Sequence, residues 1–205
     1  MKSESLKTQK SRETREAILS ACLMLFAKRG FANTSIDDIG RSVNITKGAV
    51  YWHFQSKEEL FQAILERIRD RWQQMILQPV SAEKSASARL QLLFDRYSQL
   101  FHETPEICVF LQRILLEDDQ TFAPQVAAVF RKTARFIGRI LEEGKVSNEF
   151  RGNFDSSLVA HGMLGSLSGA TQQSIANQSL SLESLIQELK ASTLIRVTGT
   201  SWLNM

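Results

Sequence analysis

The residues best suited to chemistry form one short run, Lys47-Gly48-Ala49-Val50-Tyr51-Trp52-His53-Phe54. Val50 and Phe54, four residues apart, share the inward face of a helix. That leaves Lys47, Gly48, Ala49, Tyr51, Trp52 and His53 largely outside the core. Two small residues, two aromatics and two basic groups suit a helix that enters a groove. The small residues allow close approach at one end, and ammonium, hydroxyl and imidazole groups can donate to phosphates. This is the chemistry of recognition, not of turnover. His102 and His161 lie far from His53 and from each other, and no H-E-x-x-H, C-x-x-C or glycine-rich phosphate loop occurs. With no convergent acid, base, nucleophile or metal set, an enzyme is not expected, nor any catalytic residue, metal or cofactor.

The elements that must position this run are legible on both sides of it. Ser35 caps a first helix, and Asp38 completes an S-x-x-D capping box. Ile36, Ile39 and Val43 form its buried stripe, while Asp37, Asp38 and Arg41 face outward. Gly40 is expected to let another helix approach closely. Asn44 suits a left-handed helix end, and Thr46 caps the second helix. The pattern is a helix-turn-helix with the second helix as reader. Upstream, a helix from Arg12 to Arg29 carries Ile18, Cys22, Leu25 and Phe26 on its inner face and ends at Gly30. Before it, residues 1–11 are expected to be a disordered arm with Lys2, Lys7 and Lys10 available to phosphates. Downstream, Ser56 and Glu59 form a second capping box that opens a helix to about Gln78. It is striped by Leu60, Ile64, Ile68, Trp72 and Met75.

From about Arg15 to Leu65 the chain resembles the DNA-binding domain of TetR-family transcriptional regulators. The matching stretches are LFAKRGF, TSIDDIGRSVNIT and KGAVYWHFQSKEELF. Family members usually carry Ala where this chain has Gly40 and Gly where it has Asn44. The resemblance implies phosphate contacts for Tyr51, His53 and Lys57, an effector pocket in the variable helical body, and dimerisation through a four-helix bundle. We expect Lys47, Gly48, Ala49, Tyr51, Trp52 and His53 to enter the major groove or its edges, with Thr34, Ser35 and Lys57 holding phosphates.

The remaining chain is consistent with that division. Hydrophobic content is 43% and charged content 23%, ordinary for a globular protein. Helical spacing dominates, so the fold class is all-α. The net charge of +3 is uneven: residues 1–57 hold ten Lys/Arg against five Asp/Glu, whereas residues 58–205 hold 15 against 17. A basic front on a near-neutral body points to a polyanion partner for the front alone. Cys22 and Cys108 read as small core residues. No signal peptide or membrane-spanning apolar run is seen, so the expected compartment is the cytoplasm, with no membrane partner. The expected organisation is an arm and helix-turn-helix domain at 1–56, a connecting helix at 57–78, and a ligand-binding and dimerisation domain at 79–205. Within the body, 79–87 reads as a loop, followed by helices to His102, from Glu106 to Leu116, from Thr121 to Glu143, over 155–177, and from Leu182 to Val197. The acidic stretch 117–120 breaks the pattern, and Trp202 in the frayed tail could tuck back.

Body aromatics are ordinary core in most proteins, yet a subset could line an apolar pocket with a few polar groups. The candidates are Phe94, Tyr97, Phe101, Phe110, Phe130 and His161, with Phe136, His102 and Gln112 nearby in the pattern. They offer little fixed charge, so a hydrophobic or amphipathic small-molecule effector is expected. Small residues over 155–177 allow close helix packing. Met163, Leu164, Gly165, Leu167, Leu185, Ile186 and Leu189 are therefore expected at a homodimer interface. The function expected is a ligand-responsive transcriptional repressor that binds a palindromic operator as a dimer and is released by its effector. The lever would be the helix over 56–78. The rival is a DNA-binding architectural or interaction protein without an effector.

Overall fold

A computed structural model describes residues 6–116, 121–177 and 179–199, and all regular structure among them is helical. Lys2, the 117–120 acidic stretch and Trp202 lie outside the described residues. Helix α1 spans Leu6–Arg29, so Lys7 and Lys10 sit on a helix and not in a disordered arm. The polar stretch Leu6–Arg12 lacks glycine and proline, and it extends a helix already nucleated by the apolar face behind it. Gly30 takes φ 85° and closes α1 as the sequence implies. Helices α2 (Ile36–Ser42) and α3 (Lys47–His53) follow.

Helix α4 covers Lys57–Trp72, and its Ser56 cap is half of the expected box. Ser56 Oγ accepts from Glu59 N, but the Glu59 carboxylate accepts from Gln55 N instead of returning to Ser56. Beyond Trp72 the chain continues through a π-helical turn, Gln73–Leu77, into α5 (Gln78–Ala82). Pro79 therefore does not open a loop. A proline is tolerated in a first helical turn, and the π turn before it supplies the change of register. Only residues 83–85 separate α5 from α6 (Ala86–Glu103), whose first turn is fastened from outside. The Glu149 carboxylate accepts from Ala86 N at 3.1 Å and Ser87 N at 2.9 Å.

Helices α7 (Pro105–Leu116), α8 (Ala123–Val146), α9 (Ser156–Ala176) and α10 (Leu182–Thr198) complete the body. Helix α8 runs past Gly144, because that glycine leaves room for the Phe150 ring. A Cβ there would come within 2.1 Å of it.

Two hydrophobic cores result. One belongs to α1–α4 but also takes Ile107, Phe110 and Ile114 from α7, with Phe122 and Val126 beside and within α8. Its centre is aromatic: Phe61 and Phe122 stack at 3.9 Å, Phe31 meets Phe122 at 4.8 Å, and Phe26 and Phe61 both lie against Phe110. The other core gathers Ile76, Leu90, Phe94, Ile137, Leu167 and Ile186 from the π turn and from α6, α8, α9 and α10. The front module is thus packed directly onto the body, and not only tethered to it by α4.

Candidate nucleic-acid interface and ligand cavity

The reader is built by its caps. Ser35 Oγ accepts from Asp38 N at 3.1 Å, and Asp38 Oδ2 accepts in turn from Ser35 N. These bonds to Ser35, aided by Arg41 and Arg29, hold the Asp38 carboxyl below its ordinary range. Asn44 adopts φ 57°. Ile45 N then donates to Gly40 O at 2.9 Å, closing the turn. A Cβ on Gly40 would lie 2.9 Å from Ile45 O, so the close approach it permits is that of the interhelical turn. Thr46 Oγ1 accepts from Ala49 N at 3.1 Å and starts α3.

Val50 and Phe54 are fully buried, which fixes the rotation of α3. The opposite face carries Lys47, Gly48, Tyr51 and Trp52 in the open, with Ala49 and His53 half-buried at its edges. Trp52 is 73% exposed, a large cost for an indole that meets nothing else. Its ring stands edge-on to His53 at 4.6 Å, and the Lys47 ammonium lies 5.8 Å over Tyr51. Desolvation first, then the charge of Arg15, holds His53 below its ordinary pKa and favours the neutral ring.

Two of the expected phosphate holders are turned inward. Thr34 is 1% exposed and donates its hydroxyl to Gly30 O at 2.8 Å. Lys57 donates to Phe31 O at 2.9 Å and Thr34 O at 3.1 Å, with its ammonium 4.1 Å over the Phe31 ring. It clamps the α1–α2 turn to α4. A lysine in the first turn of a helix opposes the helix dipole, and the two carbonyls offset that mismatch. Ser35 is exposed, but its hydroxyl is committed to the cap.

A cavity of about 860 Å³ lies among α4, α6, α7, α8 and α9. Leu65, Ile68, Trp72, Leu111, Phe130 and Phe136 supply much of its apolar wall. Tyr97 borders it, its hydroxyl 3.2 Å from Thr171 Oγ1 and 3.8 Å from Cys108 Sγ. Burial raises the Tyr97 hydroxyl far above its ordinary pKa and pushes the Cys108 thiol up to about 11. Both are neutral hydrogen-bonding groups, not nucleophiles.

Of the six candidate ligand contacts, Tyr97 and Phe130 line the cavity. Phe94 and Phe110 are core residues instead. Phe101 is half-buried against the second core, and His161 is exposed on α9 with Nδ1 2.8 Å from Ser157 O. Periodicity places a residue on an inner face but cannot say whether a partner helix fills the space before it. The expectation of little fixed charge also fails, because Arg69, Lys132, Arg135 and Arg139 border the cavity. The three on α8 recur at helical spacing, a stripe that the sequence alone presents as a solvated face.

The expected dimer residues divide. Met163, Leu167 and Ile186 are buried in the protomer's own core, and Leu164 borders the cavity. Leu185 and Leu189 are half-buried, and Gly165 is exposed. Gly162, Gly165 and Gly169 have nothing within 4 Å of an added Cβ, so these glycines serve no packing inside the protomer. On the same α9 face Leu158 is 73% exposed.

Residues 18–64 match the family described as bacterial regulatory proteins, tetR family. The front is 43% identical over 58 residues to the HTH-type transcriptional regulator AcrR of Shigella flexneri, covering 28% of this chain and 27% of the relative. It is 39% identical over 66 residues to the HTH-type transcriptional repressor BepR of Brucella suis, covering 32% of each. The matched stretch therefore spans less than a third of either relative. The fold extends further. The regulator FadR from Bacillus subtilis, solved in complex with stearoyl-CoA, superposes with a TM-score of 0.75 at 16% identity, over 91% of this chain and 99% of that one. No helix among the described residues is long and apolar enough to cross a membrane. Residues 18–64 therefore form a domain matching that of the tetR family of bacterial regulatory proteins, set within a fold shared with solved regulators along most of the chain.

Proposed function

We propose that the protein is a ligand-responsive transcriptional repressor that binds a palindromic DNA operator as a homodimer and releases it when a small molecule occupies the cavity. The observation that carries this reading is a continuity. Helix α4 starts beside the reader, and its Leu65, Ile68, Arg69 and Trp72 border the cavity. A ligand there touches the element to which the reader is attached. A second route runs through the aromatic centre of the first core. Helix α7 borders the cavity with Leu111 and supplies Phe110 to the cluster that holds Phe31 and Lys57.

Lys47, Gly48, Ala49, Tyr51, Trp52 and His53 are the groove-facing set, and Ser35 stands at the flank. One reader helix covers only a few base pairs, so specificity calls for two related by a dyad, about 34–36 Å apart or a multiple of it. The α9 face of Leu158, Gly162, Gly165 and Gly169, with Leu185 and Leu189 of α10, is the surface we assign to the second subunit. An effector with an apolar portion fits the cavity wall, in keeping with the stearoyl-CoA complex of the Bacillus subtilis regulator FadR. The test is selection of an operator from random DNA, followed by binding of Tyr51→Ala to it. The variant should bind every selected sequence more weakly while unfolding at the wild-type temperature. Wild-type affinity across salt concentrations would contradict the placement.

A further inference from the structure

We infer that the ligand is an amphiphile whose head carries more than one negative charge, seated against the cations of α8 with its apolar tail in the cavity. This rests on the cavity being the effector site. Arg69, Lys132, Arg135 and Arg139 border it, and among the described residues no Asp or Glu does. Several other cations of the chain sit beside carboxylates: Arg41 with Asp37, Lys145 with Glu142, Arg89 with Glu143, Lys190 with Asp95. Among the described residues, no ion pair includes Lys132, Arg135 or Arg139, and Arg69 reaches only Glu66, at 3.9 Å. Lys132, Arg135 and Arg139 follow one another at three- and four-residue spacing, where like charges repel on a helix. A bound anion removes that repulsion.

The span of the charges selects the head. Seven residues of helix from Lys132 to Arg139 cover about 10 Å. One carboxylate meets one guanidinium in a bidentate pair. An extended or doubly charged head, such as a phosphate monoester or a phosphorylated carrier in thioester linkage, can engage several cations at once. Phe136 lies beneath this row, with the Arg139 guanidinium 6.0 Å over its ring, so the apolar wall begins where the cations end.

Four probes separate the sources of such a head: dodecanoyl-coenzyme A, dodecyl phosphate, dodecanoate and dodecanol. Calorimetric titration of the full chain should rank the first two above the others, with 0.5 M salt weakening only the charged probes. The triple variant K132Q/R135Q/R139Q keeps helix-favouring side chains. It should lose about tenfold in affinity for the strongest charged probe, summing exposed charge pairs, and nothing for dodecanol. The single variant Arg135→Gln should lose about two- to threefold by the same reasoning. Preference for dodecanoyl-coenzyme A would assign an extended head, and preference for dodecyl phosphate a compact one. Equal binding of dodecanol and the charged probes, or an unchanged triple variant, overturns the inference, as does failure of all four probes to bind. If dodecanol alone bound and still released operator DNA, the anionic head would be wrong and the ligand response would stand.

Discussion

The reader and the cavity are built in opposite ways. All six reader residues come from one seven-residue helix, and two buried neighbours, Val50 and Phe54, set its orientation. The cavity draws its wall from five helices and the π-helical turn, scattered between Gln62 and Ser168. A contiguous site can be read from local rules, whereas a scattered one depends on how helices leave space between them. The same contrast governs mutation. Reader side chains project from a finished scaffold, so replacing them should change binding and leave stability intact. The residues behind the cavity are also the scaffold.

The largest expected effect tests that distinction. Phe110 is fully buried in the aromatic centre shared by the two regions, and Phe110→Ala should cost about 3–5 kcal/mol of stability in chemical denaturation. Tyr51→Ala should cost almost none. Equal losses in the two variants would erase the contrast. Next is Lys57→Met, which keeps the stem over Phe31 but leaves the carbonyls of Phe31 and Thr34 without their donor. A loss of about 1–3 kcal/mol is expected, with weaker DNA binding as the α1–α2 turn loosens. A variant of wild-type stability that loses only salt-dependent affinity would return Lys57 to a direct phosphate role.

Much of the front was legible because its signals are local. The Ser35 box, the left-handed Asn44 and the Thr46 cap each follow from residues within four positions. Thr34 and Lys57 escaped because their partners, Gly30, Phe31 and Thr34, are backbone carbonyls that carry no residue-type signal. In the body, helix positions were readable but partners were not. Phe94, Phe110 and Phe130 all sit on apolar faces, and only Phe130 faces unfilled space. The glycines of α9 read as a close-packing surface in the sequence, yet inside the protomer an added Cβ at Gly162, Gly165 or Gly169 meets nothing within 4 Å.

A further variant sharpens the reading of that outer face. A Cβ added at Gly165 meets nothing inside the protomer within 4 Å. The thermal stability of Gly165→Leu as a monomer should therefore change little, while light scattering at micromolar concentration should show a shift from dimer to monomer. A wild-type protein already monomeric there would remove the assignment. The smallest effect concerns pH. The folded Asp38 carboxyl is held below its unfolded range chiefly by Ser35. Its contribution is present above the unfolded value near pH 4 and is lost as pH falls through the folded one. Acid unfolding should show the stability gap between wild type and Ser35→Ala narrowing below about pH 4. A gap that stays constant would mean the carboxyl plays no part in the cap.

The central claim is that cavity and reader share one conformational equilibrium through α4 and the aromatic centre. The direct measurement is paired: operator affinity with and without saturating dodecanoyl-coenzyme A, and affinity for that ligand with and without saturating operator. The account predicts that each weakens the other by the same factor, corresponding to a coupling of about 1–3 kcal/mol. A ligand that fills the cavity and leaves operator affinity unchanged would contradict it.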